Sequence, residues 1–217
     1  MALPYFGHSQ GYSYTHYDIG DGLAGSTVYS IAQDKDGFIW ASTETGVSRF
    51  DGVHFQNFTT KDGLPDVEIL RLFGDSRDRV WMAPFGKSIC YYYKGKIHNQ
   101  LNDPVLRDVG VRGLIDHFSE DSTGNILVQE ASCLHLISPQ GKVTEIDSVN
   151  GRSIRLCHGS TESRDGHFLV QIADTVYHFQ AGLFKPVMTM NFPDTPGSPN
   201  FILLGKDFSV YRSEYRT

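Results

Sequence analysis

The sequence predicts an all-β propeller of four-stranded blades, about four complete and a fifth partial, on three observations. The chain restates itself with a period of 40 to 46 residues. Its two tryptophans, Trp40 and Trp81, hold the same place in successive copies. Its 11 Tyr, 14 Phe, 22 Gly and 9 Pro favour many short strands joined by tight turns. A strand-built period of this length marks a propeller blade, which buries its faces only against neighbouring blades.

The first copy shows the order of elements. "SYTHYDIGDGLAGSTVYSIAQDKDGFIWAS" (13–42) lies without a gap over "HFQNFTTKDGLPDVEILRLFGDSRDRVWMA" (54–83). Tyr14 then matches Phe55, Tyr17 matches Phe58, Asp34 matches Asp75, and Asp21-Gly22-Leu23 matches Asp62-Gly63-Leu64. "TVYSIAQD" alternates apolar and polar residues, as a half-buried strand does. "KDG" turns the chain, with Gly37 free to take positive φ. "FIWAST" is nearly all apolar, as expected of a strand covered on both faces. "GVSRF", the hairpin "DG" and "VHFQNF" supply the third and outer strands, and "KDGLP" crosses to the next unit. Later copies decay: "EDSTGNILVQEASCLHLISPQGKVTEI" and "ESRDGHFLVQIADTVYHFQAGLFKPV" put Leu127 and Leu169 where the tryptophans stood.

These copies divide the chain into a tail or cloning remnant at 1–11 and repeats over 12–217. Blades are expected at about 26–60, 67–100, 111–148 and 152–190, with a partial one at 198–217 and an outer strand at 12–18. The abrupt finish "RSEYRT" favours a part of a larger propeller. The alternative is a closed five-bladed ring in which 12–18 completes the last blade.

"DGLAGSTVYSIAQDKDGFIWASTETGVSRFDGVHFQNFTTKDGLP" resembles the repeat of two-component regulator propellers. That repeat runs from a D-G-L-P crossing through a D-x-D-G turn and an F-I-W strand to a T-x-x-G-[LV]-x-R-[FY]-D-G hairpin. Ala24 stands where the crossing usually has Pro, and Asp78 and Arg79 replace the usual turn Gly and Phe in the second unit. The resemblance is specific over roughly 12–100. It implies a non-catalytic sensory module of a bacterial sensor or hybrid histidine kinase, periplasmic or otherwise extracytoplasmic. It further implies binding of a small molecule or glycan fragment, and possible homodimerisation in the parent receptor. No membrane span, phosphoacceptor region or nucleotide-binding box is seen here, so phosphotransfer would belong elsewhere in such a receptor.

Other chemistries find little support. A net charge of −6 with scattered Lys and Arg argues against nucleic acid. No apolar run approaches the ~20 residues of a membrane span. The start "MALPYFGHSQ" lacks the regions of a signal peptide, which leaves a cytoplasmic protein or one whose leader was removed. Cys90, Cys133 and Cys157 are widely spaced, so free buried thiols are expected over a single disulfide. Gly20, Gly22 and Gly25 have the spacing of a dinucleotide loop, but "STVYSIAQ" follows where a helix must start. "DKDG" lacks the twelfth-position Glu of a calcium loop. "NFT" at Asn57 is a glycosylation sequon in form, placed in an outer strand. Nine His show no H-x-x-x-H or H-E-x-x-H pair; His135 and His178 read as half-exposed third-strand residues. No metal and no cofactor is expected. "ICYYYKG" reads as packing between blades, or as a tyrosine face for a sugar.

A ligand would meet the loops at one end of the channel, the second-to-third strand connections and the blade crossings. The candidates there are Glu44, Phe85, Lys87, Glu130 and Asp174, with Lys87 among three acids at matching repeat positions. Two other functions compete: a propeller-scaffold enzyme such as a polysaccharide or lactone lyase, and a protein-interaction propeller. The first needs a His, acid and metal cluster at the channel mouth. The second lacks its usual G-H…W-D signature.

Overall fold

The computed structural model describes residues 14–86, 88–155, 157–162, 165–189, 201–204 and 210–213. The described chain is a β-propeller of antiparallel sheets in strict sequence order. The first blade is β1 (Val28–Gln33), β2 (Ile39–Thr43), β3 (Gly46–Phe50) and β4 (Phe55–Phe58). The second is β5 (Ile69–Gly74), β6 (Val80–Pro84), β7 (Cys90–Tyr93) and β8 (Lys96–His98). After the short helix α1 (Pro104–Asp108) come β9 (Ile115–Glu120), β10 (Ile126–Glu130), β11 (Leu134–Ile137) and β12 (Val143–Ile146). A small hairpin, β13 (Ser148–Val149) and β14 (Arg152–Ser153), leads to the fourth blade. That blade is β15 (Cys157–Glu162), β16 (Phe168–Ile172), β17 (Thr175–Gln180) and β18 (Leu183–Thr189). Finally β19 (Phe201–Leu204) pairs with β20 (Val210–Ser213), and β19 lies against β15 as the next inner strand.

Each first strand packs beside the first strand of the next blade, so β1, β5, β9 and β15 line the channel side by side. Their approach is close enough that Gly74 has no room for a side chain beside the Gln33 carbonyl. The core is divided into slabs shared by neighbours. Trp40, Val47, Phe58, Ile69, Met82 and Cys90 fill the seam between the first two blades. Trp81, Ile89, Leu106, Phe118, Ile126 and Ile137 fill the next, and Leu127, Leu134, Phe168, Val170 and Phe179 the third. Tyr92 packs on Trp40 and Phe58, and Tyr91 on Trp81, so two of the "CYYY" rings serve the blade seams. All three cysteines are free and buried.

One aspartate anchors each of the first three blades. Asp34 takes the Phe38 amide and the Trp40 indole N–H, at 2.9 and 2.7 Å. Asp75 repeats this with the Arg79 amide and Trp81 indole, at 2.9 and 2.8 Å. In the third blade, where Leu127 has no side-chain N–H to offer, the Asn125 side chain donates to Asp121 at 2.7 Å instead. A buried indole donor needs an acceptor, and a carboxylate at the mouth of the hairpin also closes the turn. The hairpin tips are linked in series. Lys35 donates to the Ser76 carbonyl, Ser76 donates to Glu120, and the Ser122 amide donates to the Gly166 carbonyl.

The crossings repeat in atomic detail. Asp18 and Thr59 each cap a three-residue 3₁₀ turn, with Asp21 and Asp62 bonding back to the cap amide. Gly22 and Gly63 then take φ of 109° and 108°, where a β-carbon is strained. Asn57 and Asn99 bond the Gly22 and Gly63 carbonyls at 2.9 and 2.8 Å. "IGDGLAG" is therefore a capped crossing turn with no helix behind it, and the Asn57 amide is already engaged.

Residues 14–18 differ from expectation. They form no strand, and Tyr17 instead lies on the Phe50 and Phe55 rings of the first blade. A strand needs a ladder partner, and 14–18 has none among the described residues, which in the last blade comprise β19 and β20 alone. The second to third strand turn is equally constrained. At Gly46, with φ of 142°, a β-carbon would collide with the Phe58 carbonyl oxygen. Gly46→Ala is expected to lower stability by at least about 1–3 kcal/mol from backbone strain alone, read as a lower urea midpoint with an unchanged m-value.

Candidate ligand site at the crossing end

The second to third strand turns and the blade crossings share one end of the propeller, and the four described of the five expected site residues distribute along it. They do not form one cluster. Glu44 accepts from the Ser26 and Thr27 amides at 2.9 and 3.0 Å, and from the Ser26 hydroxyl. Its carboxylate thereby fastens the crossing to its own blade, and a β-carbon at Gly25 would displace that carboxylate from its place. Glu130 does the same for the third blade. It takes the Arg112 amide at 3.1 Å and the Gly113 amide at 2.6 Å, and it also meets His135 Nε2 at 2.6 Å. Phe85 is 56% exposed, with its amide bonded to the Glu68 carbonyl. Lys87 lies outside the described residues.

The matching of the acids needs correction. Strand registers place Glu130 opposite Ile115, the ladder-end position held by Thr43 opposite Val28. Asp174 falls one residue beyond the equivalent of Glu44, because Ile172 ends the ladder in the fourth blade. The three acids thus stand at three successive positions of the repeat. A one-residue step in or next to a strand changes which way a side chain leaves it. His135 is also corrected: it is fully buried, because α1 and the segment after it add cover to that side of the third blade.

Asp174 remains open. It lines a cleft of about 450 Å³ with Asn150, Arg152, Arg155, Thr175 and Tyr177. The β13–β14 hairpin forms one wall, turned by Asn150 and Gly151 at φ of 51° and 78°. Two guanidinium-bearing residues, an acid and a tyrosine across one cleft can bond several hydroxyl or carboxylate oxygens at once. Sequence reasoning missed both arginines, although "VNGRS" carried the Asn-Gly signal of a tight hairpin. It also missed Tyr29, whose hydroxyl donates to Glu68 at 2.7 Å across the first two blades. That bond, more than burial, pushes the phenol pKa up.

At the opposite end, a cleft of about 400 Å³ lies between inner strands, lined by Ser76, His117, Glu120, Asp121, Thr161 and Glu162. Glu120 and Asp121 there are bonded to Ser76, and to Thr123 and Asn125. Burial and the nearby Arg71 charge hold His117 below its usual pKa.

Electrostatics holds both clamping acids below the usual carboxylate range. Burial pushes Glu130 up, but His135 and the Arg112 and Gly113 amides outweigh it and hold the carboxyl below its usual range. Glu44 is also held low, first by its own amide and then by those of Thr27 and Ser26, against desolvation. A carboxylate with a depressed folded-state pKa stabilises above its unfolded pKa, and that stability is lost as pH falls through the folded value. Thermal midpoints are therefore expected to fall on acidification below the ordinary Glu value of 4.5, and to fall less steeply in Glu44→Gln.

Residues 22–45 match the family described as two component regulator propeller. No curated protein matches the chain in sequence. The fold is similar to an extracellular domain of B. thetaiotaomicron described as a hybrid two component system (TM-score 0.65, 19% identity, covering 80% of this chain and 26% of that one). It is similar to another from that organism, described as a one component system (0.63, 14%, 87% and 26%). It is also similar to a catalytically inactive virginiamycin B lyase from Staphylococcus aureus with quinupristin (0.67, 16%, 92% and 67%). The chain spans about a quarter of the length of the two B. thetaiotaomicron domains. These identities speak for the propeller fold, and the match over the first unit is more specific. Residues 22–45 therefore carry the two-component regulator propeller repeat, and the second unit restates its capped crossing and Asp-anchored turn.

Proposed function

We propose that this chain is a non-catalytic, extracytoplasmic sensory module of a two-component receptor, and that it takes a small hydroxylated or acidic ligand, such as a glycan fragment, in the crossing-end cleft. The match of residues 22–45 to the regulator repeat carries the sensory reading. The cleft of Arg152, Arg155, Asp174 and Tyr177 supports the ligand class, since sugars combine hydroxyls for bidentate groups with apolar faces for a ring. Homodimerisation of the receptor would carry the bound state inward.

The lyase fold likeness keeps an enzymatic reading in play. Among the described residues, neither grouping of His with acids lines the crossing-end cleft, which counts against it. The test is calorimetric titration with a panel of neutral and acidic oligosaccharides, with mass spectrometry of the ligand afterwards. Binding without turnover, weakened at least tenfold by Asp174→Ala or Arg155→Ala, supports the sensor. A ligand that leaves the titration cleaved supports the lyase. Binding indifferent to both substitutions removes the cleft from the proposal.

A further inference from the structure

We propose a transition-metal site, best suited to Zn²⁺, on the third blade, made by Cys133, His135 and Glu145. Cys133 immediately precedes β11 and His135 is its second residue, so the extended spacing of two puts both side chains on the same side. Glu145 is the direct cross-strand partner of His135 on β12. One ligand atom from each lies within 4.8 Å of the others, close enough for small side-chain rotations to close on one ion. Thiolate, imidazole and carboxylate form a donor set that Zn²⁺ takes.

The second observation is the state of His135. Its ring is fully buried, and Nε2 is bonded to the Glu130 carboxylate at 2.6 Å. Its Nδ1 is buried with no partner in good hydrogen-bond geometry among the described residues. Burial lowers the ring pKa, but the neighbouring Cys133 and Glu130 side chains outweigh it and raise it to about 9. A buried polar nitrogen left unpartnered is costly. With Nε2–H donating to Glu130, loss of the Nδ1 proton frees a lone pair for an ion. A carboxylate behind a metal-binding imidazole is the usual device for fixing tautomer and ring orientation.

The remaining groups are compatible. Cys133 is a free, buried thiol whose Sγ otherwise meets only the Leu134 carbonyl at 3.7 Å. Glu145 is partly exposed and ion-paired through Oε1 to Arg112, which leaves Oε2 for an ion. On binding, Cys133 and the imidazolium of His135 each lose a proton to solvent, and S–Zn and N–Zn bonds replace S–H and N–H. His135 binds neutral, and the ion's two positive charges meet one thiolate and one carboxylate. The exposed side of Glu145 is the entry path, and water completes the fourth position. Because Glu130 also clamps the Arg112 and Gly113 amides, the ion would pin the crossing into the third blade to the blade itself.

The experiment uses the full chain, stripped with chelator and titrated with Zn²⁺ and with Co²⁺ as a spectroscopic probe. The expected result is one Zn²⁺ per chain, a raised thermal midpoint and a thiolate-to-cobalt charge-transfer band. Cys133→Ser should abolish the band, and Glu145→Gln should weaken binding at least tenfold. Glu130→Gln should cost about 10–100-fold, as loss of an outer carboxylate does. Glu145 sits at the solvent edge, so its variant keeps the test valid if Cys133→Ser fails to fold. Two results overturn the proposal: no band with wild-type protein, or binding that survives Cys133→Ser and Glu145→Gln but disappears in His178→Ala. The latter would place the ion at Asp165, His167 and His178.

Discussion

Trp81→Ala is expected to destabilise the protein by about 3–5 kcal/mol, the range for deleting a large buried aromatic from a core. Trp81 has no exposed surface and lies in the seam between the second and third blades. Tyr91 and Phe118 pack on its ring at centroid distances of 5.0 and 6.1 Å, one from each blade. The Arg79 guanidinium stands over it at 4.8 Å. Removing the indole therefore opens a cavity whose walls belong to different sheets and cannot collapse as one unit. Urea denaturation followed by far-UV circular dichroism measures the loss. Trp40 remains as the sole indole, so its fluorescence reports the first seam separately. A loss under about 1 kcal/mol would mean that the seam repacks and is not the source of cohesion between blades.

Asp75→Ala should cost about as much, by a different mechanism. Asp75 accepts from two amides, from the Trp81 indole and from Arg79 Nε at 2.5 Å, with its side chain fully withdrawn from solvent. Truncation leaves a largely buried guanidinium without its counter-charge and an indole N–H without an acceptor. Breaking a buried pair in this way costs about 3–5 kcal/mol. Asp75→Asn keeps an oxygen acceptor and should lose less. Asp34→Ala should also lose less, since Arg49 stands 3.8 Å from Asp34. Trp81→Ala and Asp75→Ala share partners, so the double variant is expected to be less damaged than the sum.

The fold was legible because its strongest signals are residue types with few substitutes. Two indoles 41 residues apart, each six residues after an aspartate, state both the period and the turn that closes it. The crossing glycines were legible for the same reason, since positive φ favours glycine. The third blade was less legible. Asn125 replaces the donor of a missing indole from two residues earlier, and only a three-dimensional view shows that both serve one carboxylate. The helix α1 was missed, although Asp103 before Pro104 is a helix start signal, with Asp103 Oδ1 taking the Val105 amide at 2.9 Å. Missing α1 also hid the burial of His135, since alternation along a strand does not reveal what covers its outer side. At the site, acids that appeared aligned were not, because ladder ends shift by single residues that copy alignment cannot see.

The seams also act as addresses. In the first blade a guanidinium from β3, Arg49, lies 3.5 Å over the Phe38 ring and reaches Tyr92 of the next blade at 5.7 Å. In the second blade the arrangement is exchanged: Arg79 precedes β6 and the ring, Tyr91, comes from β7. The first seam is thus crossed by a guanidinium and an indole meeting Tyr92, whereas the second keeps its guanidinium–ring contact within one blade and is crossed by Trp81 meeting Phe118. Shuffling the blades into a new order would keep every strand and every hairpin, yet part Arg49 and Trp40 from Tyr92, and Trp81 from Phe118. Succession around the propeller is written into side chains, so the order of the copies is as much a part of the message as the copies themselves.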